Sequence, residues 1–171
     1  MKSKMEYKTR KSHRIKWYDY GSSGAYFITV CAKERKNFFW ADVGAPIGRP
    51  HDFKLSSYGL AVEQAINNIE KIYSTVIVDS YIIMPDHIHL LLIIQNDPSG
   101  RPMAAPTINQ LVNQMKGYIS KQFGFSIWQK SFYDHVIRNN KDYEFHIKYI
   151  YENPIKWYFH GENHDDVMLY E

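Results

Sequence analysis

The sequence predicts an α+β domain of the ferredoxin-like class, an antiparallel sheet with helices on one face and an extra C-terminal helix that carries a tyrosine. The first observation is the order of β-type and helical stretches, β-α-β-β-α-β-α, which is the ferredoxin-like order with one helix added. The second is that only Pro85 separates the two central strands. Proline cannot donate a ladder hydrogen bond, so a tight antiparallel hairpin is predicted there.

The elements up to the hairpin are predicted from residue type and spacing. Residues 25–31 are rich in aromatic and β-branched side chains and predict the first strand. Apolar residues then recur at helical spacing, which predicts a helix over about 59–72. The β-type stretches 75–84 and 86–95 are the two strands of the hairpin.

The elements after the hairpin follow a Gly- and Pro-rich loop at 97–106. Thr107 can cap a helix that runs to about Phe123 and has one apolar stripe. Residues 132–137 alternate in polarity and predict a short strand. This strand completes the predicted sheet.

The last predicted helix carries a tyrosine and an amide on one face. Asn139 or Asn140 can cap it, and it is expected to end near Asn153 because Pro154 follows. Tyr149 lies four residues before Asn153, so both side chains lie on the same side of the helix. If the helix packs across the sheet, a tyrosine oxygen and an amide oxygen could reach one metal ion. A metal or a base is what activates a tyrosine as a nucleophile.

His87 and His89 form the most informative pair in the chain. In a strand, side chains at i and i+2 point the same way, so the two imidazoles project together, while Ile88 and Leu90 point to the other face. The pair can bind a divalent metal or can be two hydrogen-bonded histidines. With one cysteine in the chain, a third ligand must be an oxygen donor, and such a set admits Mg²⁺ or Mn²⁺.

Composition and charge limit the class of protein. The longest apolar run, 90–94, is too short to span a bilayer, and the N-terminus lacks the apolar stretch of a signal peptide, so a cytoplasmic, non-membrane protein is expected. The lone Cys31 agrees with a reducing compartment. Seven Lys or Arg against one Glu between Lys2 and Lys16 form a basic arm. Such an arm can bind a polyanion or can be a solvated tail.

Three blocks of sequence resemble one known family. Met84-Pro85-Asp86-His87-Ile88-His89, then Ile127 to Arg138 with Trp-Gln near its start, then Tyr149-Ile150-Tyr151-Glu152-Asn153-Pro154, are similar in order and spacing to the REP-associated tyrosine transposases. These are domesticated relatives of the single-tyrosine HUH transposases of insertion sequences. The resemblance covers about residues 20–158.

The resemblance implies a role for each matching position. His87 and His89 match the metal-binding pair, Asn153 matches the amide ligand, and Tyr149 matches the nucleophile. It implies attack on single-stranded DNA at or near a palindromic hairpin, giving a 5′-phosphotyrosine bond and a free 3′-OH, with Mg²⁺ or Mn²⁺ and no nucleotide cofactor. Tyr118 and Tyr151 are the competing nucleophile candidates.

The predicted organisation is a basic arm (1–18), one HUH transposase-like catalytic domain (19–160) and a C-terminal tail (161–171). A monomer and a homodimer are both compatible with the sequence. Candidate DNA-binding residues come from the arm, from two Gly-Arg-Pro loops, from the second long helix and from the Trp-Gln block. They are Arg10, Lys11, Arg14, Arg49, Arg101, Lys116, Lys121, Gln129 and Arg138.

Rival functions remain at this stage. A replication initiator or relaxase shares the His-hydrophobic-His pair but lacks the Trp-Gln and Tyr-Ile-Tyr-Glu-Asn-Pro blocks. A histidine-triad nucleotide hydrolase would need a third histidine where Leu91 stands. A catalytically silent module that only binds hairpin DNA would keep the fold and the basic arm.

Overall fold

A four-stranded antiparallel sheet organises the residues that the computed structural model describes, namely 23–41, 54–95 and 106–160, with side chains up to Trp157. The strands are β1 (Gly24–Cys31), β2 (Val76–Ile83), β3 (His87–Ile94) and β4 (Tyr133–Ile137). Their order across the sheet is β2-β3-β1-β4, and every neighbouring pair is antiparallel. Strand β3 lies between β1 and β2, and β1 lies between β3 and β4, so each β-α-β unit is split by a third strand. This arrangement confirms the predicted ferredoxin-like class.

The helices are α1 (Ser57–Asn67), α2 (Ile69–Ile72), α3 (Ile108–Phe123) and α4 (Asn140–His160). The single helix predicted over 59–72 is thus two helices. Asn68 is the C-cap of α1, and its backbone N–H donates to the carbonyl oxygens of Gln64 and Ile66. The same residue is the N-cap of α2. The Asn68 side chain makes no capping hydrogen bond to the backbone of α2, and its Oδ1 accepts from the Nζ of Lys71 at 3.1 Å.

Helix α3 is bounded as its sequence predicts. The Thr107 side chain accepts from the Gln110 backbone N–H, and the Gln110 side chain accepts from the Thr107 N–H, a complete capping box. Gly124 ends the helix at a φ of 76°, a left-handed conformation that glycine adopts without steric cost.

The two faces of the sheet bury different sets of side chains. Alternate residues of β1 and β3, such as Ile28 and Leu90, pack with α1 and α3 in the larger core. On the opposite face, Phe27 and Leu91 pack against Tyr149 of α4. Two long helices therefore share one face, and the added helix α4 covers the other, which is also the face of the two histidines.

Helix α4 does not end before its proline, contrary to the sequence prediction. It continues through Pro154 to His160, although this proline cannot donate to the carbonyl of Ile150. Pro154 is buried, and beyond it the Trp157 ring packs edge-on against Trp40, with centroids 5.1 Å apart. We attribute the continuation to this packing, which offsets the lost hydrogen bond. Among the described helices, none is long and apolar enough to cross a membrane.

Candidate active site between the sheet and the last helix

The two histidines of β3 face each other under α4. His87 is 3% exposed and His89 is 2% exposed, and their Nε2 atoms lie 3.0 Å apart. Adjacent ligands on one ion, with bonds of roughly 2.1 Å, have a similar spacing of about 3 Å. The pair is therefore arranged to share one proton or one cation.

Asp86 sets the orientation of His87. Its Oδ1 lies 2.6 Å from His87 Nδ1, and its Oδ2 lies 2.9 Å from the Nε of Arg35. Burial raises the pKa of Asp86, but the hydrogen bond and charge of His87 and the charge of Arg35 lower it more, so the net shift is downward. An ionised Asp86 accepts a hydrogen bond from the Nδ1 of His87, which orients the ring so that its Nε2 faces His89.

Thr29 plays the matching part for His89. It lies opposite His89 in the register of β1 and β3, and its Oγ1 is 2.8 Å from His89 Nδ1. A hydroxyl can donate or accept, so it supports either tautomer of the ring. The pKa of His89 lies well below its ordinary value. Burial is the largest cause, and the charges of His87, Arg35 and His146 lower the pKa further. His89 is thus neutral, the form that binds metals.

The segment that delivers Arg35 has an unusual backbone. In the short 3-10 helix Lys33–Arg35, Glu34 and Arg35 have φ values of 57° and 54°. Side-chain-bearing residues rarely adopt this region, and each costs on the order of 1 kcal/mol or more. The conformation places the Arg35 guanidinium between Asp86 and the Sγ of Cys31, 3.0 Å from the latter.

Tyr149 is the tyrosine that the fold brings to the histidines. It is 4% exposed, and its ring meets the His89 ring edge-on with centroids 5.1 Å apart. The competing candidates lie elsewhere: Tyr151 is 69% exposed, and Tyr118 is 50% exposed on α3, which packs on the other face of the sheet. The sequence analysis chose Tyr149 over Tyr118 and Tyr151, and of these three tyrosines the structure places Tyr149 against the histidines.

Asn153 lies one turn after Tyr149 and is buried with an unusual lack of partners. It is 1% exposed, and neither its Oδ1 nor its Nδ2 has a hydrogen-bond partner among the described residues. Leaving a buried polar group unpaired costs about 1–3 kcal/mol, so a partner outside the chain is expected. Two imidazole nitrogens and an amide oxygen are a donor set that fits a divalent metal ion.

Of the residues predicted to contact DNA, Arg10, Lys11, Arg14, Arg49 and Arg101 lie outside the described residues. Lys121 and Arg138 are exposed, and Gln129 is half-buried. Lys116 is 9% exposed, and its Nζ donates to the carbonyls of Gln129 and Ser131 at 3.0 and 3.2 Å. Burial lowers the pKa of Lys116 to about 8. Lys116 therefore ties the segment before β4 to α3, and the DNA contacts of this set stay predictions.

Sequence reasoning missed the residues that support the histidines. Asp86 immediately precedes the pair, so its position in sequence was a usable signal. Thr29 could be found only from the strand register, because it lies sixty residues from His89. Arg35 depends on the left-handed turn, which no residue in its segment indicates.

The fold and the site together define a class: an α+β domain in which a buried histidine pair meets a tyrosine and an amide from a helix across the sheet. No family model matches the chain. An uncharacterised protein of Haemophilus influenzae is 30% identical to this chain, and the alignment covers 86% of this chain and 89% of that protein. A putative REP-associated tyrosine transposase of that organism is 29% identical, covering 81% and 74%.

Two further comparisons carry the same family description. A REP-associated tyrosine transposase of Escherichia coli K12 is 30% identical, over 46% of this chain and 44% of its own. The solved structure of a REP-associated tyrosine transposase bound to a REP hairpin matches the fold with a TM-score of 0.62 at 22% identity, covering 85% of this chain and 74% of that one. This chain is a homologue of the REP-associated tyrosine transposases, which confirms the resemblance found in its sequence.

Proposed function

We propose that this protein is a metal-dependent endonuclease and strand transferase of single-stranded DNA, which acts at palindromic hairpins with Tyr149 as its nucleophile. The observation that carries the proposal is the burial of Tyr149 against His89, with Asn153 one turn further along α4. The named relatives, and the neighbour structure with its bound REP hairpin, support a transposase-like role on hairpin DNA.

In this proposal the metal ligands and the nucleophile are different residues. His87, His89 and Asn153 would hold Mg²⁺ or Mn²⁺, which supplies positive charge to a phosphate under attack. The Tyr149 oxygen forms a bond to phosphorus, the bond from phosphorus to O3′ breaks, and the tyrosine proton passes, directly or through solvent, to the departing O3′. One phosphodiester replaces another, so the 5′-phosphotyrosine retains the bond energy, and no ATP is needed. A 3′-OH on another strand can then reverse the step.

Recognition of DNA would depend on charge and on the hairpin. We propose that the basic arm, including Arg10, Lys11 and Arg14, neutralises phosphates, and that Lys121 and Arg138 extend this contact from the domain. Each phosphate neutralised releases counterions, so binding should weaken steeply with salt.

Removal of metal tests the proposal directly. We expect EDTA to abolish cleavage of labelled hairpin oligonucleotides, taken from palindromes that flank the gene, and Mg²⁺ or Mn²⁺ to restore it, because the phosphate needs the ion's charge. Denaturing gels report both the cleaved strand and the protein–DNA adduct. Full activity in chelator would remove the metal from the mechanism. Tight hairpin binding without cleavage, in every divalent metal tried, would instead identify a silent binding module.

Asp86→Asn tests the support of His87. The amide cannot hold the Nδ1 proton as the carboxylate does, so we expect the half-saturating Mn²⁺ concentration for cleavage to rise about 10- to 100-fold. Glu34→Gln is the matched control. Glu34 is an exposed carboxylate that pairs with Lys36 and lies next to Arg35, the partner of Asp86. An unchanged Mn²⁺ requirement in Asp86→Asn would show that Asp86 does not position the ligand.

A further inference from the structure

A second group of potential metal ligands lies at the start of α4, and it shares no residue with the histidine pair. It consists of His135 on β4 and Asp142 and His146 on α4. Their ligand atoms all lie within 4.8 Å of one another. The Nε2 of His135 is 3.0 Å from one carboxylate oxygen of Asp142, and the Nδ1 of His146 is 3.1 Å from the other.

This group is separate from the site under Tyr149. His135 lies opposite Phe27 in the register of β1 and β4, whereas His89 lies opposite Thr29 in the register of β1 and β3. The two histidine-bearing strands thus lie on either side of β1, about 10 Å apart at ordinary strand spacing. The Phe27 ring contacts both His89 and His146, with centroids 5.1 and 4.5 Å away. One histidine of each group therefore packs on the Phe27 ring, and no residue belongs to both groups.

We propose that His135, Asp142 and His146 form a binding site for a divalent transition-metal ion, for which Zn²⁺ is the best fit. Two imidazole nitrogens and one carboxylate, with positions left for water, are a common donor set for such ions. Nitrogen-to-oxygen separations of 3.0 and 3.1 Å are close to the spacing of adjacent ligands on an ion with bonds of roughly 2.1 Å, which is about 3.0 Å in octahedral and about 3.4 Å in tetrahedral geometry. The site goes beyond the proposed function, which does not use these residues.

Without an ion, hydrogen bonds connect the same atoms. Asp142 accepts from His135, and the Nδ1 of His146 also lies 2.7 Å from the Asp142 carbonyl oxygen. The His135 and His146 rings are stacked, with centroids 4.8 Å apart at 22°. An ion at these nitrogens displaces those hydrogen bonds and moves each ring proton to the ring's other nitrogen. This competition limits the affinity of the site.

The ion would fasten the helix that carries Tyr149. His146 lies one turn before Tyr149, and His135 belongs to the edge strand β4, so one ion would join the two elements. The same end of α4 is held on β2 by the Tyr143 hydroxyl, which donates to Asp79 at 2.7 Å. We therefore expect metal at this site to stabilise the packing of α4 on the sheet.

Zinc titration of the full chain, dialysed free of metal, tests the site by calorimetry and by the visible absorption of Co²⁺ as a substitute. We expect His135→Ala to lose one equivalent of Zn²⁺ relative to wild type. The double variant His87→Ala, His89→Ala should keep that equivalent, and Zn²⁺ at about 100 times its Kd should raise its melting temperature by roughly 5–10 °C. Adding His135→Ala to the double variant should abolish this rise.

Glu144→Gln is the matched control, because Glu144 is an exposed carboxylate two residues from Asp142 on the same helix, and it should leave the zinc stoichiometry unchanged. His135→Ala removes a half-buried edge-strand ring and is therefore the variant most certain to fold. Equal stoichiometry in wild type and His135→Ala would overturn the proposal and identify a purely hydrogen-bonded cluster. Because these measurements use no DNA, their outcome is independent of whether the protein cleaves hairpins.

Discussion

Tyr149→Phe is expected to abolish the covalent adduct with a single-stranded hairpin, lowering its rate of formation by about three orders of magnitude or more. The phenylalanine ring keeps the edge-on contact with His89 and the packing on Phe27, so the fold and the binding of DNA should change little. What it lacks is the oxygen that bonds to phosphorus. The measurement is the fraction of labelled oligonucleotide that migrates with the protein on a denaturing gel, alongside hairpin affinity by fluorescence anisotropy.

The matched controls are the two tyrosines that the sequence left in competition. Tyr151→Phe changes a residue on the same helix that is 69% exposed, and Tyr118→Phe changes one on α3, beyond the sheet. Both variants should form the adduct at close to the wild-type rate. If Tyr149→Phe still forms it and one of these does not, the nucleophile is that other tyrosine, and α4 must pack differently when DNA is bound.

Asn153→Leu is expected to change stability and activity in opposite directions. Its amide is buried without a partner among the described residues, so replacing it with an apolar side chain of similar shape removes a desolvation cost of about 1–3 kcal/mol. In EDTA, the free energy of unfolding should therefore rise, less any cost of fitting the larger side chain. Cleavage in Mn²⁺ should fall by at least about 100-fold, because an oxygen ligand is lost. Urea denaturation and the cleavage assay measure the two effects.

Ile150→Val is a suitable control, since it changes a buried neighbour on the same helix that has no polar atom. It should lower stability slightly, by about 0.5–1.5 kcal/mol, and leave the metal requirement unchanged. A variant Asn153→Leu that is less stable in EDTA, yet cleaves at the wild-type rate, would contradict both the orphaned amide and its role as a ligand.

Much of the fold could be predicted from local sequence patterns, as β3 and the start of α3 show. The alternation of β3 put His87 and His89 on one face and Ile88 and Leu90 on the other because the period of a strand is two residues. Thr107 marked a helix start because a threonine side chain can cap the first turn by local hydrogen bonding, and the structure adds Gln110 as the second member of the capping box. The end of α4 was wrongly predicted because a proline weakens a helix locally, whereas the packing that carries α4 past Pro154 to Trp157 is not local.

In the candidate site too, the features that local sequence patterns predict differ from those that tertiary packing decides. By itself the sequence determined the histidine pair and the spacing of Tyr149 and Asn153, since both follow from the periods of a strand and a helix. Only the tertiary structure decided that α4 lies over the histidine face, which placed Tyr149 rather than Tyr118 against His89. It likewise brought Thr29 and Arg35 to the pair and His135 to Asp142 and His146. These contacts depend on strand register and helix packing, which arise from burial summed over the whole chain and leave no mark at the residues concerned.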